Sequence, residues 1–349
     1  MYLGLDIGRQ YLKFVILEKW KKGFRVLKSD QHLIAEQNRP FDPEKINAPL
    51  RIIAIKELLK RNGIKPKRVK NLVTGISGTN ASVKQITTMD MPSDELNSSM
   101  IFEARKHIPM DGTDAVIDYQ VLGPNKTEVD KIDVALIACT KGVSKTHLDL
   151  LREVGMKPGI VDVDPVALIN AFVHTHSLPD EGAVILLDVG AVSSSLIVWG
   201  IQDMFFTRDL PNGVHAMIKD ISNRKSLDYL TAQSELYKLG VDAFKKPSDA
   251  EGSISVAERT ALDNFVEDVR RTLRFYAKST NQSHFTGIYL SGGGSGITGL
   301  DSFIQSQLQL DTVQFNPFAN LELKEELVTE NPCQFSVAVG LALRGCYEA

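Results

Sequence analysis

The chain has 349 residues, 43% hydrophobic and 24% charged, with a net charge of -3 and a pI near 6.2. That length and apolar content bury more than one core, which excludes a disordered or fibrous chain, and the near-neutral balance removes any general pull toward nucleic acid. No run reaches the roughly 20 apolar residues of a membrane span, since even Ala183 to Trp199 contains Asp188, and the first apolar run carries Asp6 where a secretory leader is uncharged. Cys139, Cys333 and Cys346 are far apart and form no C-x-x-C pair, which fits reduced, buried thiols in a cytoplasmic protein.

Taken in chain order, Tyr2 to Asp6, Tyr11 to Glu18 and Phe24 to Ser29 are rich in aromatic and branched residues and separated by short turns. They predict an antiparallel meander opening a mixed sheet. Ala48 to Asn62 carries Leu50, Ile53, Ala54 and Leu58 at helical spacing, with Gly63 as the stop. The basic run Lys65, Lys67, Arg68 and Lys70 reads as a solvated loop, and Asn71 to Ile76 as a returning strand. From Val83 the pattern changes. Val83 to Met89 is strand-like, Ser93 caps a helix running toward His107, and Ile108 with Pro109 stops it. Ala115 to Leu122 and Ile132 to Cys139 pair around the polar turn Gly123 to Asp130, and Ser144 to Val154 is a further helix. Together these make a compact α+β module set into the first lobe.

Val161 to Asp164 returns to strand character, and Pro165 to His174 is a helix with proline in its first turn. Ala183 to Asp188, Ser193 to Trp199 and Met204 to Asp209 then repeat the opening three-strand pattern, which is the internal sign of two related lobes. Helices follow over Gly213 to Ser222 and Leu227 to Leu239, then a polar loop over Lys245 to Ser255 and a long amphipathic helix over Val256 to Ser279. The last elements are a glycine loop, a helix over Leu300 to Leu308, a short strand near Val313 and a helix over Cys333 to Cys346.

Three glycine-bearing turns carry the chemistry. YLGLDIGRQYLKF (Tyr2 to Phe14) and LLDVGAVSSSLI (Leu186 to Ile197) each place an acid and a glycine between apolar runs, and YLSGGGSGITGL (Tyr289 to Leu300) feeds a glycine loop into a helix. Tight glycine turns leave backbone N–H groups free to point at an anion, and two facing turns grip a polyphosphate from both sides. An acid on each, Asp6 and Asp188, suits Mg²⁺ held through water, and Lys13, on the strand beside Asp6, neutralises a phosphate oxygen. Gly292, Gly293 and Gly294 clear side chains from where a base or ribose approaches. The bland readings hold elsewhere: His174 and His176 lack a carboxylate or thiol cluster for metal, and Ser193, Ser194 and Ser195 have no adjacent base and read as turn and phosphate contacts.

This ordered set resembles the superfamily of actin, Hsp70 and the sugar kinases. VDVDPVALINAF (Val161 to Phe172) and FSVAVGLALR (Phe335 to Arg344) resemble its two connecting helices, and Glu235 with Lys238 match the pair that holds adenosine in Hsp70-like relatives. Within the superfamily the whole chain resembles the PilM family of type IV pilus assembly, on MDMP, IFEARKHIP, IDYQVLG and LLREVGMKPGIVDVDPVALINAF. The inserted module is shared with the division protein FtsA. The resemblance implies an α/β, two-lobed fold of the actin-like, Hsp70 type, built from duplicated ribonuclease H-like domains with an inserted α+β module. Its parts are a first-lobe core over 1–80, the module over 81–160, connecting helices over 161–182 and 331–349, a second-lobe core over 183–212 and 285–330, and an outer subdomain over 213–284.

It also implies ATP or ADP with Mg²⁺ in contact with Asp6, Gly8, Arg9, Gln10 and Lys13 from the first turn, and with Asp188, Gly190, Ala191 and Ser193 from the second. Gly213, Glu235, Lys238, Gly292, Gly293, Gly294 and Ser295 complete the expected site, with Asp164 as the acid that orients an attacking water. Two departures bear on the mechanism. Arg9 and Gln10 stand where relatives carry small hydroxyl residues, and Ser195 stands where Hsp70-like hydrolases carry a further acid. Slow or absent hydrolysis follows, with ATP as a conformational ligand more than a fuel. The implied partner is the cytoplasmic N-terminal tail of a PilN-like inner-membrane protein, in a groove between the first lobe and the module to which Val83 to His107 contributes. The expected location is cytoplasmic, peripheral to the inner membrane through that partner, with homo-oligomerisation left open. The alternatives are an FtsA-like division protein, disfavoured because RGCYEA follows the last helix where FtsA carries a linker and amphipathic helix, and a small-molecule kinase or fast ATPase, for which no acceptor-side acid stands out.

Overall fold

A computed structural model describes residues 1–35, 38–77, 80–107, 114–201, 203–245, 259–324 and 329–348. The opening meander is β1 (Tyr2–Ile7), β2 (Tyr11–Trp20) and β3 (Gly23–Leu33), each antiparallel to its predecessor. α1 (Ala48–Arg61) then carries the chain to β4 (Leu72–Ile76), parallel to β1. The start of α1 is set by Asn47, whose side chain accepts from Leu50 N, and Ala54, Ile55, Leu58 and Leu59 form its buried stripe.

The module follows as β5 (Ala81–Met89), α2 (Ser93–His107), β6 (Ala115–Pro124) and β7 (Lys131–Thr140), with an antiparallel sheet in the order β5-β7-β6. Ser93 is itself the first helical residue: Leu96 N already bonds Pro92 O, so the helix enters one residue before the expected cap. Ile86, Leu96, Met100, Val134 and Leu136 give the module its own small core. Ile108 and Pro109, the expected stop, lie outside the described residues. α3 (Lys141–Val154) is capped by Thr140 and closed by Gly155 in the left-handed region at φ 84. Its stripe of Leu150, Leu151 and Val154 packs with α1 in the first-lobe core, so this helix faces away from the module sheet that precedes it.

That placement brings His147 Nε2 to 3.1 Å from Thr74 Oγ1, whose hydroxyl donates to Leu5 O at 3.1 Å. With its one proton committed there, Thr74 accepts from the imidazole. Burial, reinforced by Arg51, lowers the His147 pKa from 6.5 to about 4. The unfolded chain takes up this proton below about pH 6.5 and the folded one only near 4, so the contribution is full above 6.5 and lost as pH falls toward 4. His147→Gln, which keeps a donor and removes the titration, should spare the protein about 2 kcal/mol of relative destabilisation between pH 7 and 4.5. Urea midpoints of both forms across that range check this, and parallel pH profiles would refute it.

The second half begins with β8 (Ile160–Val163), parallel to β4, and α4 (Asp164–Thr175). β9 (Ala183–Val189), β10 (Ser194–Trp199) and β11 (Phe206–Leu210) repeat the meander, followed by α5 (Val214–Lys225), α6 (Tyr229–Leu239) and α7 (Ala261–Thr280). α7 starts at a capping box of Thr260 and Asp263. The expected loop over Lys245 to Ser255 and the first residues of the expected helix fall almost wholly in 246–258, outside the described residues. The chain closes with β12 (Phe285–Ser291), α8 (Leu300–Leu308), β13 (Thr312–Gln314), β14 (Glu322–Leu323) and α9 (Ser336–Tyr347).

The strand orders are β14-β3-β2-β1-β4-β8 and β11-β10-β9-β12-β13. Apart from the edge strand β14, the two sheets share one order: a meander, then two parallel strands added beyond its first strand. Each lobe has its own core, and a third cluster joins them, with Val15 and Leu17 from one sheet, Val184 and Leu186 from the other, and Phe172, Val339 and Leu343 of α4 and α9 between. α9 is buried along all its length except Arg344 and Tyr347, because the two lobes cover it.

Candidate functional site

The turn between β1 and β2 faces the turn between β9 and β10 across a cleft of about 1040 Å³. Strand register sets its floor. Asp6 pairs with Lys13 on the neighbouring strand, and Lys13 Nζ donates to Asp6 Oδ2 at 2.7 Å. The same register in the second lobe puts Ser195 opposite Asp188, but Ser195 Oγ donates to Asp209 Oδ1 at 2.9 Å. Asp188 is held from β12 instead, where Ser291 Oγ donates to its Oδ1 at 2.6 Å. Asp164, the first residue of α4, completes the floor beside Gly75, where a Cβ would lie 2.5 Å from Asp164 Oδ1.

The charges are unequal. Burial alone would lower the Lys13 pKa, yet Asp6, with Asp188 and Asp164 behind it, raises it, so the ammonium is retained. Burial, then the Asp6 and Asp188 carboxylates, hold Asp164 well above the usual carboxylate range. Burial also raises Asp188, against the opposing Ser291 hydrogen bond and Lys13. Three buried carboxyl groups thus converge on one ammonium, two of them with raised pKa values, and a divalent cation would favour their ionised forms. No three such groups converge closely enough to ligate one ion directly among the described residues. This donor set suits a hydrated ion bridged to Asp6 and Asp188 by water.

Of the residues singled out in the sequence, Asp6, Gly8, Arg9, Gln10, Lys13, Asp164, Asp188, Gly190, Ala191, Ser193, Gly292, Gly293 and Gly294 line the cleft. Four do not. Gly213 backs the second turn, where a Cβ would lie 2.5 Å from Gly190 O. Ser295 is buried and donates to Gly292 O at 2.7 Å, so it braces the glycine loop from within. Glu235 accepts from Lys225 Nζ at 2.5 Å, and Lys238 is exposed on the same helix. The glycine loop lies flush on β9: Gly292 has φ 81, and a Cβ there would lie 2.6 Å from Val189 O.

Several lining residues carried no signal in the sequence. Tyr237 sits two residues beyond Glu235 and turns into the cleft, half-exposed, where its neighbours on α6 do not. Asn331 donates to Gly293 O at 3.2 Å, tying the glycine loop to the segment ahead of α9. A lone asparagine before a proline has no recognisable pattern, and only the fold brings it there.

Paired sheets of one strand order, each presenting an acid-glycine turn to a shared cleft, with two helices packed between them, define an actin-like two-lobed protein carrying an inserted module. The fold is shared with the ethanolamine utilization protein EutJ from Carboxydothermus hydrogenoformans, at 11% identity and a TM-score of 0.52 over 98% of this chain and 89% of that one. A chain from the PilM-PilN type IV pilus biogenesis complex is 26% identical, with a TM-score of 0.79 over 99% of this chain and 98% of that one. The family described as type IV pilus assembly protein PilM matches residues 4–346, and the chain belongs to it. Among the described residues no helix is long and apolar enough to cross a membrane.

Proposed function

We propose that this protein is a nucleotide-responsive scaffold of the type IV pilus assembly machinery, docking the cytoplasmic N-terminal tail of a PilN-like inner-membrane protein. The observation that carries the reading is the likeness, over nearly the whole of both chains, to the chain from the PilM-PilN complex. ATP or ADP would lie between the two turns, with its phosphates against the backbone of Gly8 to Gln10 and Gly190 to Ser193 and beside Lys13. Mg²⁺, supplying charge neutralisation, would be held through water by Asp6 and Asp188. Asp164 is the acid available to orient a water. Ser195 adds no second acid opposite Asp188, which supports slow turnover and a ligand that sets conformation.

The module sheet has two edges for a partner strand to use. β5 is engaged by the second lobe: Gln85 Oε1 accepts from Phe205 N at 2.7 Å and Val83 O from Thr207 Oγ1 at 3.0 Å. The expected contribution of Val83 to His107 is therefore directed partly at β11. β6 is the other edge, with Val116 and Val121 exposed. β8 ends the first-lobe sheet with Val161 exposed and Asp162 Oδ2 buried without a partner among the described residues. Burial raises the Asp162 pKa, against the backbone hydrogen bond from Val163 and the charge of Arg344. An extended peptide adds to such an edge, and an amine or guanidinium on it would satisfy Asp162.

The test is a fluorescence anisotropy titration of the labelled tail peptide with and without Mg-ATP. Saturable binding that changes with nucleotide, and that weakens about tenfold in Asp162→Asn, is expected. Absence of binding by folded, nucleotide-loaded protein would remove the partner assignment.

A further inference from the structure

One contact outside the phosphate turns links them mechanically. Ile34 N, just beyond β3, donates to Gln10 O at 2.9 Å, which anchors the connection between β3 and α1 to the first turn. Seven residues on, Phe41 reaches the second lobe. Phe41 is 4% exposed, yet among the described residues it joins none of the hydrophobic clusters of either lobe. It meets His215 edge-on, with centroids 5.4 Å apart and planes at 87°.

His215 occupies the first turn of α5. Its backbone N donates to Ala191 O at 2.8 Å, and that of Val214 donates to Gly190 O at 3.0 Å, so this helix start is welded to the second phosphate turn. His215 Nδ1 also lies 3.0 Å from Tyr229 Oη on α6, which fixes the ring. Asp42, beside Phe41, is close enough to Lys219 on α5 for its pKa to be lowered in part by that charge, after its hydrogen bonds with Lys45 and Glu44. An aromatic contact therefore crosses between the lobes, with opposite charges on either side of it.

We infer that Phe41 is a positioning residue: it clasps the two lobes and, through His215, sets the second phosphate turn, so that release of a nucleoside triphosphate requires this contact to part. The consequence for the ligand rests on the nucleotide reading above, whereas the clasp itself does not.

Hydrogen–deuterium exchange of the ligand-free protein tests the clasp, and displacement of a fluorescent ATP analogue tests its consequence. In Phe41→Ala, amides within 190–217 should exchange about tenfold faster and the analogue should leave about tenfold faster. His215→Ala removes the ring from the other side, should free amides within 38–47, and serves if Phe41→Ala does not fold. The double variant should release the analogue no faster than the quicker single one, because both remove the same contact. Faster exchange confined to 38–50 in Phe41→Ala, or effects that multiply in the double variant, would overturn the proposal. Failure of the wild type to bind any nucleotide would instead sink the nucleotide reading and leave the exchange result to decide the clasp.

Discussion

Replacing Lys13 with alanine should weaken Mg-ATP binding by at least about 100-fold, or about 2.8 kcal/mol. Lys13 is 13% exposed at its side chain and bonded to a carboxylate that is 9% exposed, so water cannot take over its role. Without it, the carboxyl groups of Asp6, Asp164 and Asp188 face the cleft floor with no ammonium among them, and a polyphosphate entering there loses the cation beside its phosphates. Removing one partner of a buried pair costs about 3–5 kcal/mol, and part of that falls on the fold itself. Calorimetric titration gives the affinity, and urea denaturation separates lost binding from lost structure. Lys13→Arg should not restore binding, because a planar guanidinium does not fit where a compact ammonium sits between strands. Unchanged affinity in a folded Lys13→Ala protein would mean that the phosphates lie elsewhere.

Gly340→Ala should destabilise the protein by roughly 3 kcal/mol, although alanine is favoured over glycine within a helix by about 1 kcal/mol. The sign follows from what the new methyl meets. A Cβ at Gly340 would fall inside the van der Waals shell of Ala167 O and 2.5 Å from Ala167 C, both backbone atoms of α4 that no rotamer change moves. α9 would have to lift off α4, opening the cluster that joins the lobes. Gly345 on the same helix is the control. Its nearest neighbours would be Val73 Cγ2 at 2.9 Å and Tyr2 Cδ1 at 3.2 Å, side-chain atoms that can yield, so Gly345→Ala should cost less than about 1 kcal/mol. Equal urea midpoints for the two variants would show that the helices part more easily than their spacing implies.

The turns that line the cleft were legible because their chemistry is local. An acid, a glycine and a lysine spaced along one hairpin place themselves once β1 pairs with β2, since register alone puts Lys13 opposite Asp6. The same register puts Ser195 opposite Asp188. Glu235 and Lys238 rest on a match to the adenosine-holding pair of Hsp70-like relatives, and that match does not say which face of α6 looks into the cleft. Glu235 lies in an ion pair with Lys225 while Tyr237 lines the cleft, because α6 is oriented by its packing against α5 and not by its own pattern. α3 shows the same limit: its apolar stripe predicts a buried face, but the choice between the module and the first lobe was made by α1.

By itself the sequence determined the repeated three-strand pattern, the two acid-glycine turns and the glycine loop, which follow from residue types within one hairpin or one helix, and it carried the resemblance to the PilM family that the match over residues 4–346 shows. The tertiary structure alone decided that Tyr237 enters the cleft in place of Glu235, that Asn331 braces the glycine loop and that Phe41 crosses to His215. These groups are brought together by sheet order and helix packing between segments far apart in the chain, and burial then sets their charge and contacts, so no local pattern carries them.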